Sequence, residues 1–145
     1  MKVDVSGKLV IVTGASSGLG RDIARLLVRE EECRVILIAR RAERLETLAN
    51  ELNGAGPTVA YVLVADLIEP DAPARIITDS QRIAQDAGVS LYGLVNNAGV
   101  THFGPVLGME SGEAERILRL NSIAPIELAR LFVASALAGE PAADR

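Results

Sequence analysis

The sequence predicts an α/β fold: a doubly wound parallel sheet with strand order 3-2-1-4 and helices on both faces. Three observations carry that expectation. Four short apolar runs alternate with amphipathic stretches along the 145 residues. Each run is apolar at nearly every position, as a strand buried on both faces must be. No segment repeats and none is of low complexity, so the alternation reads as one domain over residues 1–145. Apolar residues make up 49% and charged residues 23%, which excludes general disorder. Aromatics are only 3%, so Val, Ile, Leu and Ala must build the core.

Residues 8–12 (KLVIV) form the first run and end at Thr13-Gly14. A helix is predicted over 18–31, with Ile23, Leu26 and Leu27 on its inner face. Residues 35–39 (VILIA) give the second strand. The next helix, 41–53, places Leu45, Leu48 and Leu52 at spacings of three and four and stops at Asn53-Gly54. Residues 59–64 are the third strand, with Asp66 behind it. Asp71 is expected to N-cap a helix that tolerates Pro73 in its first turn and ends at Ala87-Gly88. Residues 91–95 are the fourth strand, and one long helix is expected over 111–138.

Several function classes are excluded. The net charge is −4 with both signs mixed, so binding to nucleic acid has no electrostatic support. Cys33 is the only cysteine and His102 the only histidine, so neither an internal disulfide nor a multi-His or Cys-based metal site can form. The first residues lack the apolar core of a signal peptide, and no apolar run reaches the length of a membrane span. A cytoplasmic protein without metal or membrane partner is the resulting expectation. His102 reads as a surface loop histidine, and Cys33 as a small buried hydrophobe without chemistry.

The most informative segment is Thr13-Gly14-Ala15-Ser16-Ser17-Gly18-Leu19-Gly20, between the first strand and the first helix. Gly14 permits a sharp turn off the strand, Gly18 lets backbone approach a pyrophosphate, and Gly20 lets the helix pack closely. Free N–H groups at the helix start, with the helix dipole, favour an anion there. Ser16 and Ser17 add hydroxyl donors. No Gly-Lys-Ser/Thr follows, which excludes a Walker-type loop. The bland alternative is a tight strand-to-helix turn.

TGASSGLG resembles the TGxxxGxG fingerprint of the short-chain dehydrogenase/reductases. Arg40-Arg41 after the second strand, Asp66-Leu67 after the third, Asn96-Asn97-Ala98-Gly99 after the fourth and Asn121 in the last helix match that family in order. The resemblance covers essentially the whole chain. It implies a Rossmann-like fold and a nicotinamide dinucleotide held by Gly14, Ser16, Ser17, Gly18, Leu19 and Gly20. It further implies that Asp66 accepts from the adenine amino group, that Leu67 lines the adenine pocket, and that Asn97, Ala98 and Gly99 lie along the cofactor.

The end of the second strand reports which dinucleotide is taken. A carboxylate there would hold a ribose 2′-hydroxyl and repel a 2′-phosphate; a guanidinium would bind the phosphate. The strand ends in Ala39-Arg40-Arg41 with no acid, which favours NADP over NAD, with Arg40 the first candidate and Arg41 the second. Ser17 stands where some NADP-binding relatives carry a further basic residue. The alternative is a solvated basic helix start, but two cations there oppose the helix dipole.

The family's reaction adds hydride to a carbonyl and needs an acid to protonate the resulting alkoxide. The resemblance implies a tyrosine with a lysine four residues later, an orienting serine, and an asparagine in support. The only lysines are Lys2 and Lys8; Tyr61 is followed four residues on by Ala65, and Tyr92 by Asn96. Of the four roles only the supporting one is filled, by Asn121.

The last residues have loop-like composition where the family would begin strand five. The chain therefore reads as the nucleotide-binding front half of a longer reductase, truncated before strand five and inactive alone. A non-catalytic nucleotide-binding module and a split or pseudo-enzyme subunit are the alternatives. The substrate would be a small alcohol or carbonyl compound. The apolar girth of the helix from Ser111 and an open edge on the fourth strand predict an isolated chain that is marginally stable, sticky or oligomeric.

Overall fold

In the structure, a computed structural model, residues 4–138 are described. The elements run β1 (Leu9–Thr13), α1 (Gly18–Arg29), β2 (Arg34–Ala39), α2 (Ala42–Asn53), β3 (Ala60–Val64), α3 (Ala72–Asp86), β4 (Leu91–Val95), α4 (Glu113–Leu118) and α5 (Ala124–Ala138). The four strands form one parallel sheet in the order β3-β2-β1-β4. β1 lies inside the sheet, with Ile11 opposite Ile36 on one side and Leu94 on the other.

Strand alternation sorts the core into two halves. Val10, Val12, Val35 and Leu37 face α1 and α2, where Ala24, Leu45, Leu48 and Ala49 meet them. Leu9, Ile11, Ile36 and Ile38 face the other way, onto Ile76, Ile77, Ala124 and Leu128. Every residue of β1 is buried, which is why Leu9 to Val12 are apolar without alternation and only the closing Thr13 is polar. Each such side chain removed from water stabilises by about 1.5–3 kcal/mol.

α1 and α2 are also joined by charge. Arg25 donates to both Glu51 oxygens at 3.0 and 2.7 Å, and Arg29 donates to Glu51 at 2.6 Å. The Arg25 hydrogen bond holds the Glu51 carboxyl below the usual carboxylate range.

Four expectations need correction. Leu26 is half exposed: α1 approaches the sheet through Gly20 and Ala24, whose small size lets Ile23 and Leu27 flank the contact and leaves Leu26 outside it. Asp71 occupies the N-cap position of α3, but its carboxylate caps nothing and pairs with Arg75 at 3.4 Å instead.

The predicted single helix over 111–138 begins at Glu113 and is divided by a widened π turn, Arg119–Ile123. Pro125 accounts for the division: it has no N–H to give the carbonyl of residue 121, and its ring crowds that carbonyl. The expectation that no run reaches membrane-span length is also corrected: the helical stretch Glu113–Ala138 contains an 18-residue window of mean hydropathy 1.3 and is by length and composition alone long and apolar enough to cross a membrane. In this fold Ala124 and Leu128 instead pack into the core beside α3. The expected loop over 139–145 lies outside the described residues.

Candidate functional site

A cleft of about 290 Å³ opens at the carboxyl ends of the strands. Its floor is the junction of β1 and β4. Thr13 is 1% exposed, and its hydroxyl donates to the Val95 carbonyl at 3.3 Å while accepting from the backbone N–H of Asn97 and Ala98 at 3.0 and 3.1 Å. The Asn97 amide donates to the Thr13 carbonyl at 3.0 Å. Two strand ends that share a cleft are thereby fixed to each other by side chains.

Gly14 leaves this junction at φ +69°, and a Cβ there would stand 2.8 Å from Asn97 Nδ2 and 2.9 Å from Ala98 Cα. A Cβ on Gly20 would meet the Gly14 carbonyl oxygen at 2.5 Å. Gly20 is therefore required by the glycine turn and Asn97 as much as by the helix itself. The N-terminus of α1 has no side-chain cap: Ser17 sits at the N-cap with its hydroxyl turned elsewhere. Nothing lies within 4 Å of the space a Cβ on Gly18 would take. Uncapped helix N–H groups next to open space fit a phosphate group.

The hydroxyl groups of Ser16 and Ser17 both receive Arg41, whose Nη2 donates to them at 3.1 and 3.3 Å. Arg41 is the N-cap residue of α2, yet its guanidinium leaves that helix and crosses to the glycine turn. The conflict between a cation and the α2 dipole is resolved by this reach. Arg40 leans the other way, 3.9 Å from Asp66. Asp66 closes its own turn by accepting from the Ile68 N–H at 3.2 Å, and it also lines the cleft.

The far wall is the segment after β4. Asn121, in the widened turn, accepts from the Val100 N–H at 3.0 Å and donates to the Val100 carbonyl at 2.7 Å. Asn96 donates to the Pro125 carbonyl at 3.1 Å. Both asparagines thus serve backbone groups where regular structure stops.

Of the residues singled out in sequence, Gly14, Ser16, Ser17, Arg40, Arg41, Asp66, Leu67, Asn97, Ala98 and Gly99 line one cleft. Gly18, Leu19 and Gly20 do not line it; Leu19 is 70% exposed. Asn121 stands behind Val100, which does line it.

Sequence reasoning missed Ala39, Ala65, Val100 and Leu120 as lining residues, and Thr13 as the junction. A polar residue closing a fully apolar strand was the signal for Thr13. Pro125, four residues after Asn121, was the signal for the widened turn.

His102 needs correction. It is only 16% exposed in its side chain and pairs with Glu113 at 2.8 Å, so it is not a free surface histidine. Cys33 is buried, its thiol donating to the Val5 carbonyl at 3.4 Å, and burial pushes its pKa up.

Comparison with known proteins gives a consistent family. The family model for short chain dehydrogenase matches residues 8–142. Dehydrogenase/reductase SDR family member 7B of Bos taurus is 30% identical over 138 residues, covering 92% of this chain and 41% of its own. Ketoacyl reductase HetN of Nostoc is 31% identical over 131 residues, 90% of this chain and 44% of its own. A crystal structure of a metagenomic short-chain oxidoreductase in complex with NADP superimposes with a TM-score of 0.79 at 36% identity, covering 94% of this chain and 59% of that one. This chain therefore spans under half the length of these two curated relatives.

Proposed function

The chain belongs to the short-chain dehydrogenase family, and from that premise we propose that these residues form the dinucleotide-binding part of an NADP(H)-preferring oxidoreductase. NADP(H), when bound, supplies or accepts the hydride exchanged with an alcohol or carbonyl compound. The observation that carries the preference for the 2′-phosphorylated form is Arg41, held across the glycine turn by Ser16 and Ser17. A guanidinium so placed presents further N–H donors beside the ribose site. Arg40 adds positive charge at the same edge, and the three positions after β2, Arg40, Arg41 and Ala42, include no carboxylate to repel a phosphate.

The remaining roles are part of the same proposal and rest on the family resemblance. The N–H groups at the start of α1 receive the pyrophosphate, aided by the helix dipole. Asp66 accepts from the adenine amino group and Leu67 lies against the ring. Asn97, Ala98 and Gly99 form the wall along the nicotinamide half. Asn121 holds that wall through Val100.

A second reading, a nucleotide-binding segment that turns nothing over by itself, is favoured by one observation. The only lysines are Lys2 and Lys8, so no Tyr-x-x-x-Lys pair exists within these residues. Fluorescence titration with NADPH and NADH tests both readings. NADPH is expected to bind at least about tenfold more tightly than NADH. Equal affinities would overturn the preference, and carbonyl reduction by this chain alone would overturn the second reading.

A further inference from the structure

We propose that His102 is a proton-dependent clasp that holds the loop between β4 and α4 against the first turn of α4. The ring stands between two acceptors: Nδ1 is 2.8 Å from a Glu113 carboxylate oxygen, and Nε2 is 3.2 Å from the Pro105 carbonyl oxygen. A carboxylate and a carbonyl only accept, and a neutral imidazole carries a single N–H. Only the imidazolium satisfies both contacts at once. Glu113 is anchored in turn, its other oxygen accepting from the Glu110 N–H at 3.0 Å. One network therefore joins residue 102, the carbonyl of 105, the amide of 110 and the first residue of α4.

Apolar burial does not hold this loop. Phe103, Val106 and Leu107 are 92%, 80% and 101% exposed. Its beginning is fixed at Val100 by Asn121; beyond that point the backbone bonds from Gly108 N–H to the Pro105 carbonyl, Met109 N–H to the Val106 carbonyl and Glu113 N–H to the Glu110 carbonyl are short-range, and the His102 network is the side-chain tie that spans the loop to the helix.

The charged groups around the hollow at His102 are Glu110, Glu113 and Arg116. The two acids favour the imidazolium. Arg116 opposes it directly and favours the Glu113 carboxylate that pairs with it.

The titration has the sign this geometry demands. The hydrogen bond to Glu113, then the one to Pro105, raises the His102 pKa above its ordinary 6.5. The contribution of His102 is therefore complete below the ordinary value and is lost as pH rises through the raised one. His102 and the Glu110 N–H lower the Glu113 pKa below its ordinary 4.5. That contribution is complete above the ordinary value and is lost as pH falls through the lowered one. The clasp is closed between the two folded-state values.

The inference does not rest on the nucleotide reading, and its test uses the tag-free 145-residue chain without ligand. With one histidine in the sequence, a single imidazole resonance reports the titration by NMR. Hydrogen exchange over residues 103–112, corrected for intrinsic rate, is followed from about pH 6 to about pH 9. Protection of the loop is expected to fall about twofold to fivefold with the midpoint of the imidazole resonance, above pH 6.5. In Glu113→Gln the midpoint moves down; in His102→Gln loop protection is low and flat with pH. Protection of β1 in the same samples reports that each variant is folded. An imidazole midpoint at or below 6.5 in the parent chain, or loop protection that does not follow it, overturns the proposal.

Discussion

The two flanks of the sheet differ in how completely they are covered. On the β2–α2 flank every inner residue of β2 is buried, Leu45, Leu48 and Ala49 close the face, and Glu51 ties α2 to α1. On the β4–α5 flank no residue of β4 is fully buried, and only Ala124 and Leu128 of α5 are. Leu118, Ile123, Ile126 and Val133 stand 59%, 57%, 69% and 53% exposed. Among the described residues β4 pairs with β1 alone. The side that carries Arg41 and the glycine turn is covered by its own helices as far as β2, although its edge strand β3 has only Ala60 fully buried. The flank beyond β4 has the composition of a surface made to be covered.

That contrast can be broken at its seam. Gly14→Ala demands a positive φ of a residue with a Cβ and drives that Cβ into Asn97 and Ala98. The expected loss is about 3 kcal/mol or more in urea unfolding, together with nucleotide binding. Thr13→Val keeps the shape but leaves the Asn97 and Ala98 N–H groups without their acceptor, for an expected loss of about 1–3 kcal/mol in the same measurement.

On the closed flank, Arg41→Ala is expected to weaken NADPH binding about tenfold to a hundredfold while changing NADH binding less than about twofold. On the open flank, Ile126→Glu is expected to leave stability within about 0.5 kcal/mol and to raise the monomer fraction in sedimentation velocity. Parent chain that is already monomeric at every concentration would show that the exposed face does not associate.

The smallest effect is expected in acid. The lowered Glu51 pKa means its contribution is whole above the ordinary carboxylate value and fades as pH falls through the lowered one. Glu51→Gln should flatten that part of the stability–pH curve.

The closed flank was legible in the sequence because two-sided burial forces apolar runs and because helix termini and tight turns demand particular residues. Residues 8–12, Asn53-Gly54 and the glycine turn were read from those demands. The cleft was legible where a motif carried it, and it gathers the arginines, Asp66 and Asn97 as one site.

What was not legible depended on direction rather than identity. Nothing in the sequence fixes which way a long arginine points: Arg41 crosses to the serines, and Arg40 leans toward Asp66. His102 read as a surface residue because its partner is eleven residues away, on another element. Leu26 satisfied the helical period but lies outside the contact that α1 makes with the sheet through Gly20 and Ala24.

The account depends on a dinucleotide's phosphates resting on the backbone N–H groups at the start of α1. Amide NMR of the chain titrated with NADP⁺ tests that most directly. The expected result is a set of saturable shifts centred on Gly18, Leu19 and Gly20, with the Arg41 side chain moving in step. Shifts confined to other surfaces, or none at millimolar cofactor, would contradict it.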